Sequence, residues 1–160
     1  MSASDALVAR EGRQMDIGLT NRVQQSFRQL APRGPELVDH LFAHLFSKNP
    51  QLRPLFPRDM SSQKKNFLAT FMLIMRNLSD RDKLRHTLID LGRRHFKYDA
   101  RPDQYPLFRD TLIGVMRDMS GAKWNPQLAA DWTIALNVIA ALMIEGHKLD
   151  EKRPRQLTAV

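Results

Sequence analysis

Apolar residues recur along most of this chain at steps of three and four. Leu19, Val23, Phe27 and Leu30 lie at intervals of four, four and three, which aligns them on one face of a helix; Pro32 and Gly34 stop it. Leu37, Val38, Leu41, Phe42, Leu45 and Phe46 mark a second helix, after which Asn49-Pro50 opens a short helical turn through Leu52 and Leu55 to Phe56-Pro57. Ser61 or Ser62 serves as a cap for a long amphipathic helix carrying Phe67, Phe71, Ile74, Met75 and Leu78. The next helix starts at Asp80 or Asp82. Its apolar line is Leu84, Leu88 and Leu91, and one further step of four lands on His95. Asp99 to Pro102 break the chain. A helix from about Asp103 then carries Tyr105, Phe108, Leu112, Val115 and Met119, and Gly121 with Asn125-Pro126 separates it from a last helix, Leu128 to about Glu145, with Trp132, Leu136, Ile139 and Met143 on one face. No segment alternates with period two over six residues and no internal repeat is visible, so the expected class is all-α.

The ends differ from the middle. Residues 1–17 mix both charge signs and lack the apolar stretch of a secretory signal; they read as a flexible tail. Residues 147–160 carry four basic and two acidic residues around Pro154 and read as a basic C-terminal tail. One domain, residues 18–146, lies between. No apolar run reaches the roughly 20 residues that span a bilayer, so a soluble, cytoplasmic protein without a membrane partner is expected. Lys and Arg number 25 against 17 Asp and Glu, a formal charge of +8. The tails contribute −1 and +2, which leaves +7 on the middle. Cysteine is absent, which excludes disulfides, thiolate metal ligands, iron–sulfur clusters and a cysteine nucleophile.

Few residues carry chemistry. His95 closes a line of leucines, where a polar imidazole needs a partner; a core carbonyl is the ordinary one, and the metal of a bound cofactor is another. Arg93, Arg94 and Lys97 lie on other faces of that helix, in reach of solvent or of a cofactor's carboxylates. His40 and His44 are spaced i, i+4 but have no third ligand, so they read as surface residues. Met72, Met75 and Met143 read as core filling rather than iron ligands. Between Arg76 and Arg101 eight basic residues meet four acidic ones, a surplus that suits cofactor carboxylates or an acidic partner better than nucleic acid, for which aromatic interleaving is missing.

Two runs of residues resemble a known family. One is Leu91-Gly92-Arg93-Arg94-His95, then Tyr98, Pro102, Gln104-Tyr105-Pro106, Leu112 and Gly114, then Trp132; the other is His40-Leu41-Phe42 through Phe46, Asn49-Pro50, Leu52, Leu55-Phe56 and Met60-Ser61-Ser62-Gln63. In this order and at these intervals the chain, over about residues 19–146, resembles a single-domain bacterial globin related to the haem domain of flavohaemoglobins. The resemblance implies a globin fold around haem b, with His95 as the axial ligand to iron. Phe56 matches the phenylalanine against the haem face, Gln63 the distal polar residue, and Phe67 a neighbour of the bound ligand. Leu91, Arg94, Tyr98, Tyr105 and Phe108 complete the cofactor-contacting set.

Two departures from the family pattern stand out. Phe42 occupies the position of a tyrosine that donates to bound dioxygen, which leaves the Gln63 amide as the lone donor. A missing hydrogen bond to a polarised group is worth roughly 1.5–3 kcal/mol, so dioxygen is expected to leave faster by one to two orders of magnitude. On the proximal side Tyr105 is kept, but the position of its partner glutamate is taken by His147. No G-x-G-x-x-G segment is present, so turnover of the iron needs an external reductase.

Two functional readings follow. In the first, the chain is a haem protein that binds O2, CO or NO for oxygen binding, transport or sensing, or for nitric-oxide dioxygenation with a reductase. In the second, it is a haem-free basic helical domain acting as a sensor or nucleic-acid binder.

Overall fold

A computed structural model gives the structure of the protein for Ala6, Arg10 and residues 15–151. These residues contain no strand. Six helices, α1 (Ile17–Leu30), α2 (Gly34–Lys48), α3 (Ser61–Arg76), α4 (Arg81–Lys97), α5 (Tyr105–Ser120) and α6 (Pro126–Glu151), are joined by connections that include 3-10 turns at Ala31–Arg33, Pro50–Leu55, Pro102–Gln104 and Gly121–Lys123. The all-α reading holds.

The apolar faces meet in one core. Val23, Leu37, Leu41, Leu88, Leu112, Met116 and Trp132 are fully buried, and removing each such side chain from water contributes roughly 1.5–3 kcal/mol. α6 is the central element: α1, α4 and α5 pack on it, while α2 packs on α3 and α5. The buried carboxylate of Asp131 on α6 is held by Arg22 of α1 at 2.6 Å, and Trp132 Nε1 donates to Ser26 Oγ at 3.1 Å. α3 and α4, although consecutive, are not packed against each other.

Several boundaries differ from the periodicity. Pro32 does not end helical structure but sits at the start of a 3-10 turn, and Gly34 is the first residue of α2 with Pro35 behind it, because proline suits a helix's first positions, where its missing N–H has no partner to lose. Neither Ser61 nor Ser62 caps α3. Asp59 acts there instead, accepting from Ser61 N at 3.0 Å and Ser61 Oγ at 2.7 Å. α6 begins at Pro126, with the Asn125 side chain accepting from Leu128 N at 2.8 Å.

The largest difference is at the other end of α6, which continues to Glu151 instead of stopping near Glu145. His147, expected in a tail, is 2% exposed, and Arg93 of α4 holds Asp150 at 2.9 Å. Both tie the last turns to the domain. Residues 152–160 of the expected basic tail lie outside the described residues, as does most of the expected N-terminal tail; its last part, Met15, is buried, and Asp16 caps α1. α6 is also long and apolar enough, by length and composition, to cross a membrane, contrary to expectation. An average over its length tolerates the polar residues that interrupt every apolar run. Here it is the core helix, with Trp132, Ala135, Leu136, Val138, Ile139, Leu142 and Met143 buried beside Asp131 and His147.

Candidate functional site

A cluster of rings joins α2, α3 and α5. Phe42, 2% exposed, has ring centroids 5.9 Å from Phe46, 5.5 Å from Phe56 and 5.8 Å from Phe67. Phe67 reaches Phe71 at 5.6 Å and Phe108 of α5 at 5.4 Å. These separations favour edge and offset contacts. Phe46, Phe56, Met60, Phe67, Leu68, Leu91, Leu107 and Phe108 are all packed on the core yet only partly buried. They are apolar groups that pack on the core and keep part of their surface accessible. Gln63 lies one helical turn before Phe67, half-buried, and makes no hydrogen bond among the described residues.

On α4 stands His95, half-buried at the end of the leucine line. Its Nδ1 lies 2.9 Å from the carbonyl oxygen of Leu91. A carbonyl can only accept, so Nδ1 carries the proton and the lone pair of Nε2 is left free. Burial holds the imidazole's protonation below the ordinary histidine value; the Leu91 bond opposes this and the neighbouring Arg94 charge adds to it. A neutral imidazole with its tautomer fixed by a backbone acceptor is in the form that ligates a metal.

α5 joins the ring cluster to α6. Phe108 touches Phe67, and one turn earlier the hydroxyl of Tyr105 and Nε2 of His147 are hydrogen-bonded at 2.8 Å. The His147 ring lies between those of Tyr105, at 5.7 Å, and Phe96, at 5.6 Å. Burial depresses its protonation, the charge of His95 adds to the effect, and Glu151 opposes it. Burial likewise pushes ionisation of Tyr105 above the usual tyrosine range. The pair is therefore neutral around pH 7. A depression of about 550 Å³ opens beside it, bounded by Phe96, Arg101, Pro102 and Glu151.

The residues singled out in the sequence fall into two groups. Phe42, Phe56, Phe67 and Phe108 form one aromatic cluster; Leu91, His95 and Tyr105 lie on the α4–α5 side. Arg94 and Tyr98 do not join them: Arg94 is exposed and paired with Asp90 at 3.0 Å, and Tyr98 is 74% exposed. His147 joins as the partner of Tyr105, and the spacing Leu136, Ile139, Met143, His147 continues the helical line that would have found it.

Other candidates separate from the site. His40 and His44 stack at 6.2 Å on the surface, and among the described residues no group of three His, Cys, Asp or Glu side chains could hold a metal. Met75 and Met143 fill the core, whereas Met72 is 36% exposed, because the buried stripe of α3 runs through Phe71, Ile74 and Met75. The basic stretch 76–101 is largely answered by carboxylates: Lys83 by Asp80, Arg85 by Glu145, Arg93 by Asp150, Arg94 by Asp90 and Arg101 by Asp103. Arg81 donates to the Met15 carbonyl at 3.1 Å.

Comparison with known proteins agrees with this geometry. Residues 39–143 match the family model described as Globin. A flavohemoprotein of Rhizobium meliloti is 21% identical over 131 residues, covering 78% of this chain and 32% of that protein. An uncharacterized globin-like protein of Aquifex aeolicus is 25% identical over 122 residues, 74% of this chain and 84% of the other. A bacterial globin from Campylobacter jejuni superposes with a TM-score of 0.76 at 15% identity, covering 86% of this chain and all of that one. The chain thus spans about a third of the length of the flavohemoprotein it matches.

Proposed function

Because this chain belongs to the globin family, we propose that it binds haem b between α3 and α4, with His95 as the axial ligand, and that its function is the reversible binding of diatomic gases. The observation that carries this reading is the state of His95: Nδ1 is held by Leu91 and Nε2 is free, on a helix that packs on α6 rather than closely on α3, its predecessor in the chain. A flat, largely apolar macrocycle fits that donor set and that lining. Phe56, Phe67, Leu91 and Phe108 are the side chains of the right character to contact it, with Phe42 behind them.

Bound haem, held through His95 Nε2, would supply an iron centre that takes O2, CO or NO. The protein's own contribution is to orient His95, to exclude water with the phenylalanine cluster, and to offer the Gln63 amide as a donor. With Phe42 unable to donate, the distal side is poor in hydrogen bonds. Where the iron is turned over, as in oxidation of nitric oxide, a reductase must supply the electrons. The likeness to proteins named flavohemoprotein supports that link.

The haem-free alternative is disfavoured by the match of residues 39–143 to the Globin family model and by the free Nε2 of His95. The deciding experiment is optical titration of the purified protein with haem. One equivalent taken up, with a single broad visible band on reduction that sharpens under carbon monoxide, supports an open site. No stoichiometric uptake overturns the reading.

A further inference from the structure

The positive charge that carboxylates leave unanswered is concentrated away from α4. Between the end of α2 and the first turns of α3 stand Lys48, Arg53, Arg58, Lys64 and Lys65, with Asp59 as the one acidic residue of that stretch. Asp59 is committed to Ser61, and only Lys64 has an ion-pair partner, Asp39 of α2 at 3.0 Å. Lys48, Arg58 and Lys65 are exposed and make no ion pair.

Arg53 organises this corner. Its Nη1 donates to the carbonyls of Phe56 at 3.2 Å and Pro57 at 2.9 Å, its Nη2 donates to that of Arg58 at 3.0 Å, and its guanidinium carbon lies 5.2 Å over the Phe46 ring. A fixed positive charge thus sits on the corner without an anion. Pro50, Pro54 and Pro57 restrict the backbone around it, and Leu55, 37% exposed, offers an apolar contact among the cations.

We propose that this corner is the docking surface for an acidic electron-carrier protein, an inference that rests on the haem reading above. Charge complementarity steers such a partner and fixes its orientation. A surface already held by three prolines and an arginine staple has little left to order when it binds. Beneath it, Phe46 and Phe56 belong to the ring cluster of Phe42 and Phe67, so a carrier seated here stands next to the residues that the haem reading sets against the cofactor. In each productive encounter the carrier's reduced centre gives up one electron and ferric iron becomes ferrous, with no bond made or broken. A nucleic acid is less well suited, because the corner's rings are packed on the core and leave no face for bases to stack on. A membrane would need more apolar anchoring than Leu55.

The test uses the haem-loaded protein and a plant-type [2Fe–2S] ferredoxin, a small acidic carrier, as probe. Calorimetry gives its affinity at 20 and 200 mM salt, and stopped-flow absorbance gives the rate at which the reduced ferredoxin converts the ferric form. Affinity is expected to fall at least tenfold across that salt range. The triple variant Lys48→Glu, Arg58→Glu, Lys65→Glu should weaken binding and slow reduction at least tenfold, while its circular dichroism and haem uptake match the parent. The variant Arg28→Glu, Arg76→Glu, Lys123→Glu makes the same charge change elsewhere and should leave both within twofold.

Equal losses in the two triples, or none in the first, overturn the proposal. So does a corner triple that keeps ferredoxin but loses duplex DNA or phosphatidylserine vesicles, which would make the corner a nucleic-acid or lipid surface. Should the triple not fold, the single variants Arg58→Glu and Lys65→Glu must each weaken binding about threefold. Failed haem uptake overturns the cofactor reading and electron delivery together; corner-specific ferredoxin binding, read by calorimetry, is scored independently of it.

Discussion

Gly92 of α4 and Gly146 of α6 let two helices meet backbone to backbone. A Cβ on Gly92 would lie 1.9 Å from the carbonyl oxygen of Met143, and one on Gly146 would lie 2.2 Å from that of Ile89. Neither obstacle is a flexible side chain, so even a methyl group must push the helices apart. Gly92→Ala should cost about 2–4 kcal/mol in denaturant unfolding, and because His95 rides on the same helix it should also weaken haem retention. Alanine at Gly114, where a Cβ meets nothing within 4 Å, should be neutral or slightly stabilising. Equal effects at the two positions would count against close packing as the cause.

His95→Ala removes the imidazole and its free Nε2. The variant should fold, since a half-buried side chain is lost from the helix end, yet fail to hold haem in a one-to-one complex after gel filtration. Retention with an unchanged spectrum would mean that another residue is the ligand.

Phe42→Tyr sets a hydroxyl among three phenyl rings. Without haem the group has no partner, and the protein should lose about 1–3 kcal/mol of stability. With haem and dioxygen present the same hydroxyl becomes a donor, and the dissociation rate measured by flash photolysis should fall by at least tenfold. A rate unchanged within twofold would contradict the donor-poor distal side.

Tyr105→Phe leaves the buried His147 ring without its 2.8 Å hydrogen bond. The expected loss is about 1–3 kcal/mol, and the double variant Tyr105→Phe, His147→Gln should be less destabilised than the two single losses summed. Strict additivity would show that the pair is not coupled.

His95 and His147 are both harder to protonate in the folded chain than in the unfolded one. Their contribution is therefore fully present above the unfolded value of about 6.5, and stability falls as pH drops below it. Each histidine contributes a slope of at most about 1.4 kcal/mol per pH unit. Urea unfolding of the haem-free protein at pH 7.5 and 5.5 should show the acid-side loss, and His147→Gln should reduce it. A chain equally stable at both values would contradict the burial of these rings.

The sequence disclosed the helices because their apolar spacing is nearly regular, and it disclosed the ring cluster because Phe42, Phe56 and Phe67 stand at positions that the family resemblance marks. It was weakest where tertiary partners decide the outcome. His147 reads as part of a polar tail when the composition HKLDEKR is taken as a whole, and only the Tyr105 hydroxyl and the Arg93–Asp150 pair, both distant in sequence, keep the helix going through it. The basic stretch 76–101 looked like a charged face because three of its ion pairs are hidden from a local count: Glu145 and Asp150 come from α6, and Asp103 lies just beyond the stretch. Arg94 precedes and Tyr98 follows His95 in sequence, but helix geometry and the turn after it carry them to solvent.

The separation of α3 from α4 has a consequence for supply. A molecule that bridges two helices with little contact of their own adds its binding free energy to that of folding, about 1.4 kcal/mol for every tenfold excess over its dissociation constant. A domain of this kind unfolds more readily, and is degraded faster, when its cofactor is scarce. Haem seated as proposed would therefore tie the lifetime of the protein in the cell to the concentration of free haem, with no dedicated regulator.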